Sequence, residues 1–191
     1  WSFGFLRMGT VGLVSQTFGK SDYRELVNII FRNFCIAFII AFLIIILKPF
    51  LIKIIFQIFH ASSETNSFIK DYISIRVFSA PAELIIYVLV GFFLGIQRTT
   101  ISSILIITLS LLNICFSIYF VNVLGLNVKG VAFGTLMSAY ITVLSFSVYM
   151  YFYIIKRFKV IPRFTLKKLL NLKKLFKLFN INFNIFIRTI L

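Results

Sequence analysis

Glu83, Arg76 and Asn113 are the side chains of this sequence best placed to do chemistry, because each interrupts a long apolar run. A charge near the centre of a bilayer costs about 2.5–3.5 kcal/mol on insertion scales, so such groups face protein or a water-filled cavity. A carboxylate at that depth is a candidate carrier for a proton or cation. An amide there must find partners in another helix or in a hydrated crevice. Ser110 and Ser117 stand within one turn of Asn113 on the same side. Arg7, roughly 18 Å of helical rise from the loop at Gly19, and Gln16 are the polar groups of the first apolar run. Together these residues suit the handling of an ion or polar solute inside hydrocarbon. Two readings of Glu83 stay open: a titrating group, or the partner of Arg76 two turns away in a pair that holds a kink at Pro81.

Chemistry of other kinds lacks its residues. There is no His/Glu metal set, no nucleophile with a plausible base and no Gly-rich phosphate loop, so neither catalytic nor metal-binding residues are assigned and no cofactor is expected. His60 is the only histidine and reads as a solvated loop residue. Cys35 and Cys115 read as small core residues, and Asp22 and Asp71 as cap or loop groups at helix ends.

The elements that must carry these groups are membrane helices. Hydrophobic residues make up 60% of the 191 and mean hydropathy is +1.02, far outside soluble-domain usage. Residues 1–18 form the tail of a first helix with Gly4, Gly9, Gly12 and Ser15 as small packing positions. A charged loop (19–25) leads to a second helix over 26–47, where Arg32 is near enough to the start to snorkel. The segment KPFLIKIIFQIFH has the spacing of an interfacial amphipathic helix, and 61–68 reads as a polar loop. Residues 73–95 form one spanning helix bent at Pro81, with Arg76, Ala80, Glu83, Tyr87, Gly91 and Gly95 on one face. That stripe reads either as the wall of a polar interior or as a plain packing seam. Spans over 101–124 and 131–155 follow. Gly91 and Gly95, and Gly130 and Gly134, are small-residue pairs four apart that let backbones approach. Thr135, Thr142 and Ser145 are expected to bond back to their own helix.

The net charge of +15, taken alone, suggests nucleic acid. Nine of the twenty basic residues, however, lie between Lys156 and Lys177 with no acidic residue among them, and a block flanking membrane helices is explained by topology. Loops on one side hold twelve basic residues against four on the other, which makes the richer side cytoplasmic. Residues 156–180 then form a basic linker on the inner leaflet, and 181–191 start another span. Both ends of the sequence look like cuts through helices, so a larger protein is expected, and a gene truncated to a non-functional relic is an alternative.

Four pieces in order resemble the MATE (multidrug and toxic compound extrusion) transporters, particularly the DinF-like branch: FGFLRMGTVGLVSQTFGKSD, YISIRVFSAPAELIIYVLVGFFLGIQRT, LLNICFSIYFVNVLGLNVKGVAFGT and FNIFIRTIL. The resemblance implies an all-α integral membrane protein, here helices two to six and the start of helix seven of a twelve-helix fold. Residues 1–155 would be most of the N-terminal six-helix lobe, 156–180 the interlobe linker and 181–191 the next helix. It implies efflux of cationic or amphiphilic solutes in exchange for H⁺ or Na⁺ by a bacterial inner-membrane protein, monomeric when full length, with the bilayer and small solutes rather than nucleic acid as partners. The family's ion-linked site is an aspartate on helix one and an Asn-x-x-x-Asp pair on helix five. Asn113 matches the asparagine, and Ser117 stands at the aspartate position. Asn184, ahead of Arg188, stands where helix seven usually carries an acid. Both departures remove carboxylates, leaving helix one or Glu83 to supply a titrating group. On these grounds Asn113, Ser117, Glu83, Arg76, Arg7 and Gln16 are the expected solute and ion pathway. Gly91, Gly95, Gly130, Gly134 and Pro81 are the expected packing positions. Flipping of a lipid-linked oligosaccharide is the other transport reading, for which Arg7 and Arg76 offer cations to a diphosphate.

Overall fold

The structure, a computed structural model, describes residues 3–58 and 63–160. Helices account for nearly all of them: α1 Gly4–Gly19, α2 Tyr23–Ile46, α3 Lys48–Ile58, α4 Ser63–Arg76, α5 Ala80–Gly95, α6 Thr99–Ile118 and α7 Asn127–Tyr153. Among the described residues four stretches are long and apolar enough to cross a membrane: Tyr23–Ile46, Thr65–Gly95, Thr99–Val123 and Asn127–Phe158. In hydrocarbon every backbone group must bond within its own segment, which is why such runs become helices.

Helix α5 is the centre of the bundle. Eleven of its sixteen residues are buried, and α1, α2, α6 and α7 all pack on it. Lipid chains are as apolar as leucine, so close backbone approach rather than water exclusion holds such helices together. The stripe on α5 provides it. A Cβ on Gly91 would stand 2.7 Å from Thr10 Cβ and 2.8 Å from the Arg7 carbonyl oxygen, and one on Gly95 would stand 2.7 Å from Val14 Cβ. Of the small residues of α1 expected to pack, Gly9 is buried, whereas Gly4 and Gly12 have open space around them and Ser15 is exposed.

Several boundaries and placements differ from expectation. The charged loop after α1 shrinks to Lys20–Asp22, because the Asp22 side chain caps α2 by accepting the Glu25 N–H at 3.1 Å. Residues 63–68 are helical, not loop, and Asp71 sits inside α4, where it pairs with Lys129 of α7 at 3.2 Å. Arg32 does not snorkel to solvent. It is 3% exposed and turns back to Glu25, Nη1 to Oε1 at 2.9 Å, since a buried guanidinium needs a counter-charge more than its stem needs length. Cys115 is exposed on α6 rather than in the core. His60, Asn184, Arg188 and the linker beyond residue 160 lie outside the described residues.

The Asn33 amide on α2 is 0% exposed, and among the described residues neither of its polar atoms has a hydrogen-bond partner. An unmade buried amide costs about 1–3 kcal/mol, so Asn33→Leu, of similar volume, is expected to raise unfolding stability by about that amount. The check is the thermal midpoint of the purified protein in detergent. A lowered midpoint would show that the amide holds a bridging water.

Candidate functional site

The bend around Pro81 is assembled from side chains, and its geometry follows from what proline removes. With no N–H on Pro81, the Val77 carbonyl loses its helical donor. The chain tightens into a 3₁₀ turn over Val77–Ser79, and the Ala80 N–H goes to the Val77 carbonyl instead. That shift strands the Arg76 carbonyl, which takes the Ser79 hydroxyl at 2.7 Å. The Phe78 carbonyl is reached from another helix by the Tyr140 hydroxyl at 3.1 Å. Freed backbone acceptors are thus made good by side chains on both sides of the break, as a low-dielectric setting requires.

Over this turn lies the first polar cluster. Arg76 Nη1 donates to both Ser79 Oγ and Glu83 Oε1, and Ser79 Oγ lies 3.1 Å from the same carboxylate oxygen. Arg76 and Glu83 are each about one-third exposed, 32%, so the pair lines an edge of the bundle rather than its core. Spacing alone puts Arg76 and Glu83 on one face, but it carries no sign of Ser79 as their shared partner or of Tyr140.

The second cluster is the α6–α7 seam. Asn113 Nδ2 donates to Thr135 Oγ1 at 3.1 Å, and Asn113 Oδ1 accepts from Ser117 Oγ at 3.4 Å. Thr135 passes its own proton back to the Val131 carbonyl at 3.1 Å. What lets these groups meet is Gly134: a Cβ there would stand 2.7 Å from the Ser117 backbone nitrogen and 2.9 Å from its Cα. Gly130 plays the same part against the backbone of Phe120, one turn nearer the end, where α6 continues as a π turn over Tyr119–Val123. Asn113 and Ser117 are half-buried, with a neutral set of oxygen and nitrogen atoms and no carboxylate.

The expected pathway residues therefore fall into two groups. Among the described residues no hydrogen bond or ion pair links the Arg76 cluster to the Asn113 cluster. Helix α7 touches both, through Tyr140 and Thr135. Ser110 is exposed, apart from its predicted neighbours, and Gln16 is exposed in the last turn of α1. Arg7 is half-buried, its carbonyl under Gly91. Most of the hydroxyls expected to bond back do so, Thr135 to the Val131 carbonyl and Ser145 to the Ile141 carbonyl at 2.9 Å, while the buried Thr142 hydroxyl has no partner among the described residues. Among the described residues no three His, Cys, Asp or Glu side chains gather as a metal site.

Comparison with known proteins gives the following. A family model described as MatE matches residues 2–119. The DNA damage-inducible protein F of Escherichia coli (strain K12) is 32% identical over 140 residues, which are 73% of this chain and 30% of the relative. Two solved structures share the fold at 22% identity. One is an inward-facing conformation of a multidrug resistance MATE family transporter of the MOP superfamily, with a TM-score of 0.80 over 95% of this chain and 41% of that one. The other is an outward-facing conformation of such a transporter, with a TM-score of 0.78 over 93% of this chain and 38% of that one. The chain thus spans less than half the length of each of these relatives.

Proposed function

The chain belongs to the MatE family, and from that premise we propose that it forms most of one lobe of a secondary active exporter, residues 1–155, with 156–180 as the inner-leaflet linker to the next span. The exporter exchanges cationic or amphiphilic organic solutes for H⁺ or Na⁺ across a bacterial inner membrane. The observation that carries this reading is Asn113, held at mid-span across the α6–α7 seam and still half-open. Its amide bonds to Thr135 and Ser117 leave it capacity for a solute or ion. Alternating access by rocking of a preserved lobe has support in the likeness to both an inward-facing and an outward-facing relative, with TM-scores of 0.80 and 0.78.

In this reading the pair of Arg76 with Glu83 secures the bend, since Glu83 is already engaged by the Arg76 guanidinium. The same pairing weakens the lipid-diphosphate alternative, because Arg76 brings its own counter-charge. Membrane-embedded catalysis has no observation in its favour.

The test is reconstitution of the protein in vesicles with an imposed pH or sodium gradient and a fluorescent organic cation. Movement driven by one of the gradients is expected; movement with neither overturns the reading. In the same assay Glu83→Gln is expected to keep its response to the gradient while unfolding more easily, by about 1–2 kcal/mol, between the exposed and buried limits for breaking an ion pair. A folded Glu83→Gln protein that ignores the gradient would make Glu83 the coupling group instead.

A further inference from the structure

At the end of the bundle where α1 meets α2 and α5 meets α6, the chain closes around a cavity of about 340 Å³ that neither polar cluster uses. Its floor is aromatic. Tyr23 and Phe158 stack with centroids 4.5 Å apart and planes 7° from parallel, and Phe18 and Tyr153 meet the Phe158 ring at 6.2 and 5.7 Å. Its rim is cationic: Arg98 and Arg157, both exposed, line it. Arg98 is set there by the end of α5, where Gln97 takes φ 61° and the Arg98 N–H returns to the Phe93 carbonyl at 2.8 Å. Its Nε then donates to the Tyr153 hydroxyl at 3.3 Å, which orients the guanidinium and leaves its two terminal nitrogens for a ligand. Arg98 is also the N-cap residue of α6, whose first turn no side chain caps, so the positive end of that helix adds to the field.

We propose that this cavity binds the phosphate headgroup of an anionic lipid from the inner leaflet. Three observations select that ligand. Among the described residues no carboxylate pairs with either arginine of the rim: Asp22 caps α2 and Glu25 pairs with Arg32. Arginine offers the forked donor geometry that suits phosphate oxygens. The tyrosine rings of Tyr23 and Tyr153, beside the ends of spanning helices, mark interface depth, where a headgroup enters a basic pocket with its acyl chains still in the bilayer. A free phosphate would satisfy the guanidiniums and leave the aromatic floor unused.

The experiment uses the purified protein in neutral detergent and measures displacement of a fluorescent phosphatidylglycerol by unlabelled lipids and by inorganic phosphate. Phosphatidylglycerol is expected to displace it at roughly tenfold lower concentration than phosphatidylcholine, and high salt to narrow that gap. Arg98→Gln with Arg157→Gln should erase the preference, the two lysine replacements should keep part of it, and Lys53→Gln on α3 should leave it unchanged. If the double variant does not fold, Arg157→Gln alone, which breaks no hydrogen bond among the described residues, should reduce the preference several-fold. A preference undiminished by these changes overturns the proposal. So does displacement by inorganic phosphate as effective as that by the lipid, which would reassign the cavity to a free anion.

Discussion

Gly134→Leu is expected to leave no transport-competent protein. A side chain at that position would have to displace the backbone nitrogen and Cα of Ser117, 2.7 and 2.9 Å from its Cβ. Backbone of a helix cannot step aside as a side-chain tip can. Overpacking typically costs 1–3 kcal/mol, occasionally more, and this contact belongs at the upper end of that range, about 3 kcal/mol. The loss falls where it matters for function, because separating α6 from α7 also pulls Asn113 away from Thr135. Thermal unfolding in detergent and gradient-driven efflux should therefore fail together. Unchanged melting with normal efflux would mean that the seam is not the close contact described.

Asn113→Ala is the complementary case, in which transport is lost and the fold is kept. Hydrogen bonds between membrane helices contribute on average only about 0.6 kcal/mol, and Thr135 retains its bond to the Val131 carbonyl, so removing the amide leaves only the half-buried Ser117 hydroxyl to turn to another acceptor. If Asn113 contacts the moving solute or ion, efflux should fall on the order of tenfold or more, the equivalent of one or two lost hydrogen bonds at the barrier. The two variants can be read against each other: Gly134→Leu lowers the melting temperature and activity, Asn113→Ala activity alone. An Asn113→Ala protein with full efflux would remove this residue from the pathway.

How much of this could be read from the residues differs from feature to feature. The spans were plain, because a bilayer forces long apolar runs into helices whatever they pack against. So was the Gly91–Gly95 stripe, since only small residues recur there at helical spacing. The partner side of that stripe was not legible: Gly4 and Gly12 looked like packing positions and are open, while Thr10 and Val14 make the contact. A pattern on one helix says that something can come close; it does not name the atoms that do. The polar clusters show the same divide. Glu83 and Arg76, seven residues apart on one helix, could be paired from spacing alone. Asn113 with Thr135, 22 residues apart, and Tyr140 with Phe78, 62 apart, depend on how three helices are arranged. Arg32 was misjudged for a related reason. Its distance from the helix start fits snorkelling, but Glu25 two turns back offered a counter-charge within reach.

The Arg76–Glu83 pair has a bearing on how the protein is made. Both partners belong to one continuous stretch, so their charges cancel as soon as that stretch coils, before α6 or α7 has left the ribosome. The segment then needs no later helix to balance the charge of this pair, although its Phe78 carbonyl and Asp71 still take partners from α7. A pair split between two spans would have had to wait, with an exposed charge in lipid, for its mate to be synthesised.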